Sequence, residues 1–172
     1  MDFERVANLF KRKGKPEPPT TPPPDPVLEF PHPENRSLFA RFKENSKAEG
    51  PDTRGWTMGG YEVRVHPDLI EILYDLVSEG QVKKGCAYGK PVVATSGGLV
   101  FAYAGGTHSI FFKLHQDRFD AARLDGGRYD PTYGTDWIEF QVGGRIGGPP
   151  DWHGAMRRWA RISYQDCLAL ES

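Results

Sequence analysis

From residue 61 onward, apolar and polar positions fall into periods that identify their elements. Tyr61, Val63 and Val65 alternate with Glu62 and Arg64, the period of a half-buried strand. His66-Pro67-Asp68 then opens a helix, with proline at a first-turn position. Its stripe of Leu69, Ile70, Leu73, Leu76 and Val77 recurs at helical spacing, and Gly80 closes it. Residues 90–114 read as a three-strand antiparallel meander, with runs at 92–94, 99–103 and 109–114. The turns between them are Ser96-Gly97-Gly98 and Gly105-Gly106. These connections are too short for parallel crossovers. A short helix follows over 116–124 and ends at Gly126-Gly127. In residues 136–142, Ile138, Phe140 and Val142 form a core-facing row, and Trp137, Glu139 and Gln141 a wetter one. Asp151 caps a last helix running to about Leu170, whose buried face is Trp152, Ala155, Met156, Trp159, Ile162 and Ser163. The pattern predicts a two-layer α+β domain over 61–172, a mainly antiparallel sheet with helices on one face.

The first sixty residues follow other rules. Phe3, Val6, Ala7, Leu9 and Phe10 recur at helical spacing before Lys11-Arg12-Lys13, giving a short basic amphipathic helix within residues 1–15. Such a helix orders only against a partner or its own domain. Residues 16–33 hold nine of the 15 prolines. Proline fixes φ and removes a donor, so this stretch predicts an extended, disordered spacer rather than a helix or a central strand. Residues 34–48 allow one more short helix, capped by Asn35 or Ser37, and 49–60 read as a loop with Trp56 and Met58 as anchors. Residues 16–60 are thus expected to be a linker with a partly ordered end.

Charge narrows the function classes. With 22 basic and 23 acidic residues the net charge is −1, which makes a nucleic-acid partner unexpected. Two cysteines make no disulfide framework. No apolar run approaches the roughly 18 residues a membrane span needs, and no signal-peptide core follows Met1. A cytoplasmic location is the expectation.

The candidate chemistry is thin. Gly143-Gly144-Arg145-Ile146-Gly147-Gly148 lacks the Gly-Lys-Ser/Thr of a phosphate loop, and Pro149 and Pro150 remove two donors. The five histidines show no zinc-ligand spacing, so neither a metal nor a cofactor is expected. Asp125, Asp130 and Asp136 do not fit a calcium loop and read as turn residues. Cys86, placed in a loop beside Lys83, Lys84 and Lys90, is a possible reactive thiol, since cations lower a thiol's pKa. Arg128, Tyr129, Tyr133 and Arg145 join Arg157, Arg158 and Arg161 of the last helix as candidate binding residues, because arginine and aromatics dominate binding hot spots. A pocket by the 115–150 loops would be lined by Arg145, His108 and His115.

Four segments carry a family resemblance: Ile110-Phe111-Phe112-Lys113-Leu114, Phe119-Asp120-Ala121-Ala122, Trp137-Ile138-Glu139-Phe140 and Met156-Arg157-Arg158-Trp159-Ala160-Arg161. In order and spacing, residues 66–170 resemble the TfoX N-terminal domain, a relative of the YjbR/MmcQ proteins. The family's Met-Phe-Gly-Gly-like turn would fall at Gly85-Cys86-Ala87-Tyr88-Gly89, where this chain departs from it. The resemblance implies an α+β fold, a link to competence regulation, and no common catalytic residue set. The resulting expectation is a non-enzymatic interaction or regulatory module that meets another protein through its N-terminal helix or its domain surface. The alternatives are a small-molecule binder or enzyme using the 115–150 pocket, and a weak DNA binder using the last helix.

Overall fold

The computed structural model describes residues 25–48, 57–58, 61–62, 65–78, 80–106, 108–144 and 150–172. The helix expected within 1–15, the prolines before residue 25, Trp56 and Arg145 lie outside the described residues.

A six-stranded antiparallel sheet organises the chain. Its strands are β3 (Val82–Ala87), β4 (Lys90–Thr95), β5 (Val100–Gly105), β6 (Ser109–Lys113), β7 (Arg128–Tyr129) and β8 (Trp137–Gln141). They lie in the order β3-β4-β5-β6-β8-β7. A separate two-residue pair, β1 (Thr57–Met58) with β2 (Tyr61–Glu62), precedes it. The fold is α+β, as the periodicity predicts.

Two of these strands were not legible. The stretch expected to hold Cys86 in a loop is strand β3 at the sheet edge. Val-Lys-Lys-Gly-Cys-Ala does not alternate, because an edge strand buries little and its lysines keep that edge from pairing with other chains. The turn from β3 to β4 is the two-residue loop Tyr88-Gly89, with φ of 50° and 78°, both positive as a primed hairpin turn requires. Tyr88 holds this conformation with its ring 6.4 Å from that of Phe39. Strand β7 is only two residues long and too short to leave a period.

One face of the sheet carries α3 (Pro67–Leu76), the short α4 (Phe119–Leu124) and α5 (Trp152–Leu170). His66 caps α3 by accepting from Asp68 N, and Asp151 caps α5 by accepting from Gly154 N. Leu69, Leu73, Met156 and Trp159 bury against Phe101, Ile110, Phe112 and Ile138. Strand β5 bulges here. Val93 faces Ala102 and Ala94 faces Val100, so Phe101 has no partner on β4. The extra residue puts Phe101 and Ala102 on the same core face. Ser163 Oγ lies 2.8 Å from the Phe101 carbonyl and 2.7 Å from that of Lys113, so one hydroxyl serves both where the β5–β6 ladder stops.

The other face is also covered, and this revises two expectations. Residues expected to lie in the spacer form α1 (Pro26–Glu29), and the helix allowed over 34–48 is α2 (Asn35–Ala48). Proline at the first helical position costs no hydrogen bond, and Asp25 caps that turn by accepting from Val27 N. Four residues free of proline between Pro26 and Pro31 suffice for one turn. Phe30, Leu38, Phe39 and Phe42 then pack on Val92, Val100, Tyr103, Phe111 and Trp137. Two of the three residues in the row of β8 expected to be wetter are therefore buried, Trp137 at 2% exposed and Glu139 at 5%, while Gln141 is half-buried.

Asn35 is part of this second layer. It begins α2, but its side chain works across elements rather than as a cap. Its Nδ2 donates to the carbonyls of Phe30 (3.0 Å) and Gly98 (2.7 Å), and its Oδ1 accepts from Val100 N (2.9 Å). A buried amide with these bonds ties α1, the β4–β5 turn and β5 together.

Candidate functional site

The arginines of α5 turn inward on their own chain. Arg157 Nη2 donates to Asp75 Oδ2 at 2.9 Å, and Arg158 Nη2 to Asp125 Oδ2 at 2.8 Å. Asp125 also accepts from Trp159 Nε1 at 3.0 Å, which anchors the end of the 116–124 helical segment to α5. Arg161 flanks a small cleft with Tyr164 and Phe101. The Arg157 and Arg158 pairs join elements at the surface, with the two arginine side chains 44% and 56% exposed.

The predicted patch around 128–133 divides. Arg128 pairs with Asp130 (3.0 Å) and faces Glu139 Oε2 at 3.9 Å. Asp130 caps the turn at 131–133 through Thr132, whose hydroxyl and amide hold the Asp130 carboxyl below its usual range. Tyr129 is exposed, its ring 5.1 Å from Phe119. Tyr133 turns the other way and packs on Phe111 at 4.6 Å.

Cys86 is buried, and burial pushes its thiol up to about 11 in spite of a bond from the Gly89 amide and the charge of Lys90. Cys167 is also buried, and its thiol is pushed up to about 12. Both are thiols at neutral pH, not the thiolate a nucleophile requires. Of the histidines, His66 caps α3, His115 meets Asp117 at 2.9 Å and His153 lies 3.4 Å from Asp75. Among the described residues no cluster of His, Cys, Asp or Glu could hold a metal ion. No helix there is long and apolar enough to cross a membrane.

Two cavities bring charged side chains together. The larger, a groove of about 400 Å³, opens where β6 ends and β8 begins, beside the C-terminal turns of α5. Of the residues expected to line a pocket, His115 does so, while His108 is exposed away from it. At the groove's inner end lies Lys113, 8% exposed. Its ammonium pairs with Asp136 and lies 3.8 Å from Glu34. Asp117 and Asp166 face it from the other wall, with Arg118 3.9 Å from each. Asp166 Oδ2 is buried with no hydrogen-bond partner among the described residues. Four carboxylates thus stand against two cations. Leu114, Ala169 and the 60% exposed Leu170 supply an aliphatic surface.

The smaller cavity, about 230 Å³, lies on the opposite sheet face between α2 and the turn at 131–133. Phe42, Tyr103, Phe111 and Tyr133 give it aromatic walls, and Arg41 and Lys90 give it charge.

Sequence reasoning missed Glu34, Lys113, Asp136, Asp166 and Arg41. One signal for the groove was present: a lysine inside the apolar run Ile110-Phe111-Phe112-Lys113-Leu114 needs a buried counter-charge. No family model, curated protein or solved structure gives a significant match to the chain.

Proposed function

We propose that this chain is a non-enzymatic interaction module, on a domain that resembles the TfoX N-terminal domain, and that it grips a basic side chain of a partner protein. The supporting observation is the groove around Lys113, with its excess of carboxylates and its aliphatic side. A lysine or arginine offers a long apolar stem and a charged head. The stem fits against Leu114, Ala169 and Leu170, and the head meets Asp166 and Asp117. Lys113 offsets one of the two carboxylates beside it and Arg118 one of the two on the facing wall, so one negative charge is left over on each side of the groove. Residues flanking the basic side chain on the partner would be apolar, to meet Leu170.

The self-paired arginines of α5 support this reading over DNA binding, which needs guanidiniums that can reach phosphates. The test is photocrosslinking from a benzophenone amino acid at position 170, in the full chain, in nuclease-treated native lysate. The expected product is a partner peptide with Lys or Arg beside apolar residues, lost on the double substitution Glu34→Lys and Asp117→Lys at exposed positions. Crosslinks to peptides without basic residues, or indifferent to that charge reversal, overturn the reading.

A further inference from the structure

The cavity beneath α2 shares no lining residue with the groove, and its chemistry is the reverse. Its two charged linings, Arg41 on α2 and Lys90 at the start of β4, are cations, and no carboxylate lines it among the described residues. Lys90 Nζ lies 5.7 Å from the Phe42 ring centre, so this cation sits at the aromatic wall rather than out in solvent. Arg41 is placed by a glycine. Gly134 has φ +108°, and a Cβ there would overlap the Arg41 guanidinium, so the bare backbone of the turn leaves room for it.

The walls are flat. Tyr103 stacks on Phe111 at 4.5 Å and 7° between planes, with Tyr133 tilted over Phe111 at 4.6 Å. Asn45, Ser109 and Thr132 add neutral polar groups. The acids nearby are held by other groups: Glu139 accepts from Ser109 at 2.6 Å and faces Arg128, Asp130 accepts from Thr132 and pairs with Arg128, and Asp136 pairs with Lys113.

We propose that this cavity is a binding site for a small aromatic carboxylate, its ring against Tyr133, the half-buried member of the aromatic lining, and its carboxylate on Arg41 and Lys90. Size restricts the ligand. A volume near 230 Å³ admits one ring with a short acidic arm, whereas larger ligands occupy clefts of about 300–1,000 Å³. Ring-on-ring contact rewards an aromatic body. Paired cations reward an anion, and a bidentate guanidinium rewards a carboxylate in particular. The ligand would bridge α2 to the turn at 131–133, so binding would also stabilise the second layer.

The test is a titration of the full chain with benzoate, followed by Trp137 fluorescence and by thermal shift. Trp137 is in edge contact with Tyr103 at 4.9 Å and reports on the cavity. Benzoate should saturate and raise the melting temperature, with acetate and benzyl alcohol at least about tenfold weaker, since each lacks one half of the recognition. Arg41→Gln should weaken benzoate by about tenfold. Gly134→Ala, which displaces Arg41 without removing it, should weaken benzoate as well. Benzylamine binding as well as benzoate, benzoate binding no better than acetate, or unchanged affinity in Arg41→Gln would each overturn the proposal.

Discussion

Asn35 shows how one residue carries more than its type suggests. It satisfies two carbonyls and one amide that are otherwise cut off from water. Asn35→Ala leaves all three unpaired, and unmatched buried groups cost about 1–3 kcal/mol each before relaxation. The expected loss is about 2–4 kcal/mol, read from urea unfolding; a loss within about 0.5 kcal/mol would show that water replaces the side chain. The two cysteines make a second residue-scale prediction. Their thiols ionise near 9.0 when exposed, but near 11 and 12 in the fold. In the window above 9.0 and below 11 the unfolded chain has already lost protons that the folded chain keeps, so stability falls as pH rises. Melting temperatures across that window should drop less steeply in the Cys86→Ala, Cys167→Ala double variant than in the parent chain. Equal slopes would place the alkaline loss on other groups, the raised Tyr74, Tyr103 and Tyr133 hydroxyls among them.

At the scale of elements, legibility followed how much each segment buries and how long it runs. Helices α3 and α5 and strands β4, β5, β6 and β8 carry full periods and were readable at close to their observed bounds. Strand β3 was not, because its exposed lysines give it no alternation, and β7 was not, because two residues make no period. The larger miss was where α2 packs, not the helix itself. Leu38, Phe39 and Phe42 were visible among many charges, yet nothing local says that they cap a sheet face. The face itself was misread, since Trp137 and Glu139 were placed on a wetter face when its cover lies about a hundred residues earlier in the chain. Removing residues 1–48 should therefore leave Val92, Val100, Tyr103, Phe111 and Trp137 bare. We expect such a chain to bind anilinonaphthalene sulfonate and to self-associate on a sizing column. A monomer with no dye binding would mean that the second layer is dispensable.

For the molecule as a whole, the candidate sites were the least legible part, and for one reason. Each assembles charges from distant segments: Glu34 with Lys113, Asp136 and Asp166, or Arg41 with Lys90 and Tyr133. A sequence shows residue types and near spacing; residues 113–118 of the groove are close in the chain, but Glu34, Asp136 and Asp166 are not, and Arg41, Lys90 and Tyr133 are all far apart. Of the arginines that stand close together on α5, Arg157 and Arg158 also join elements of the fold through Asp75 and Asp125. The same assembly has a consequence for how the chain reaches its fold. The layers on the two faces fasten to adjacent residues of one strand, Asn35 at the Val100 amide and Ser163 at the Phe101 carbonyl. A β4–β5 hairpin that closes one residue out of step offers neither anchor in its place and turns every side chain to the wrong face. Such a hairpin is disfavoured from both sides at once, so the two layers together select the bulged register at Phe101.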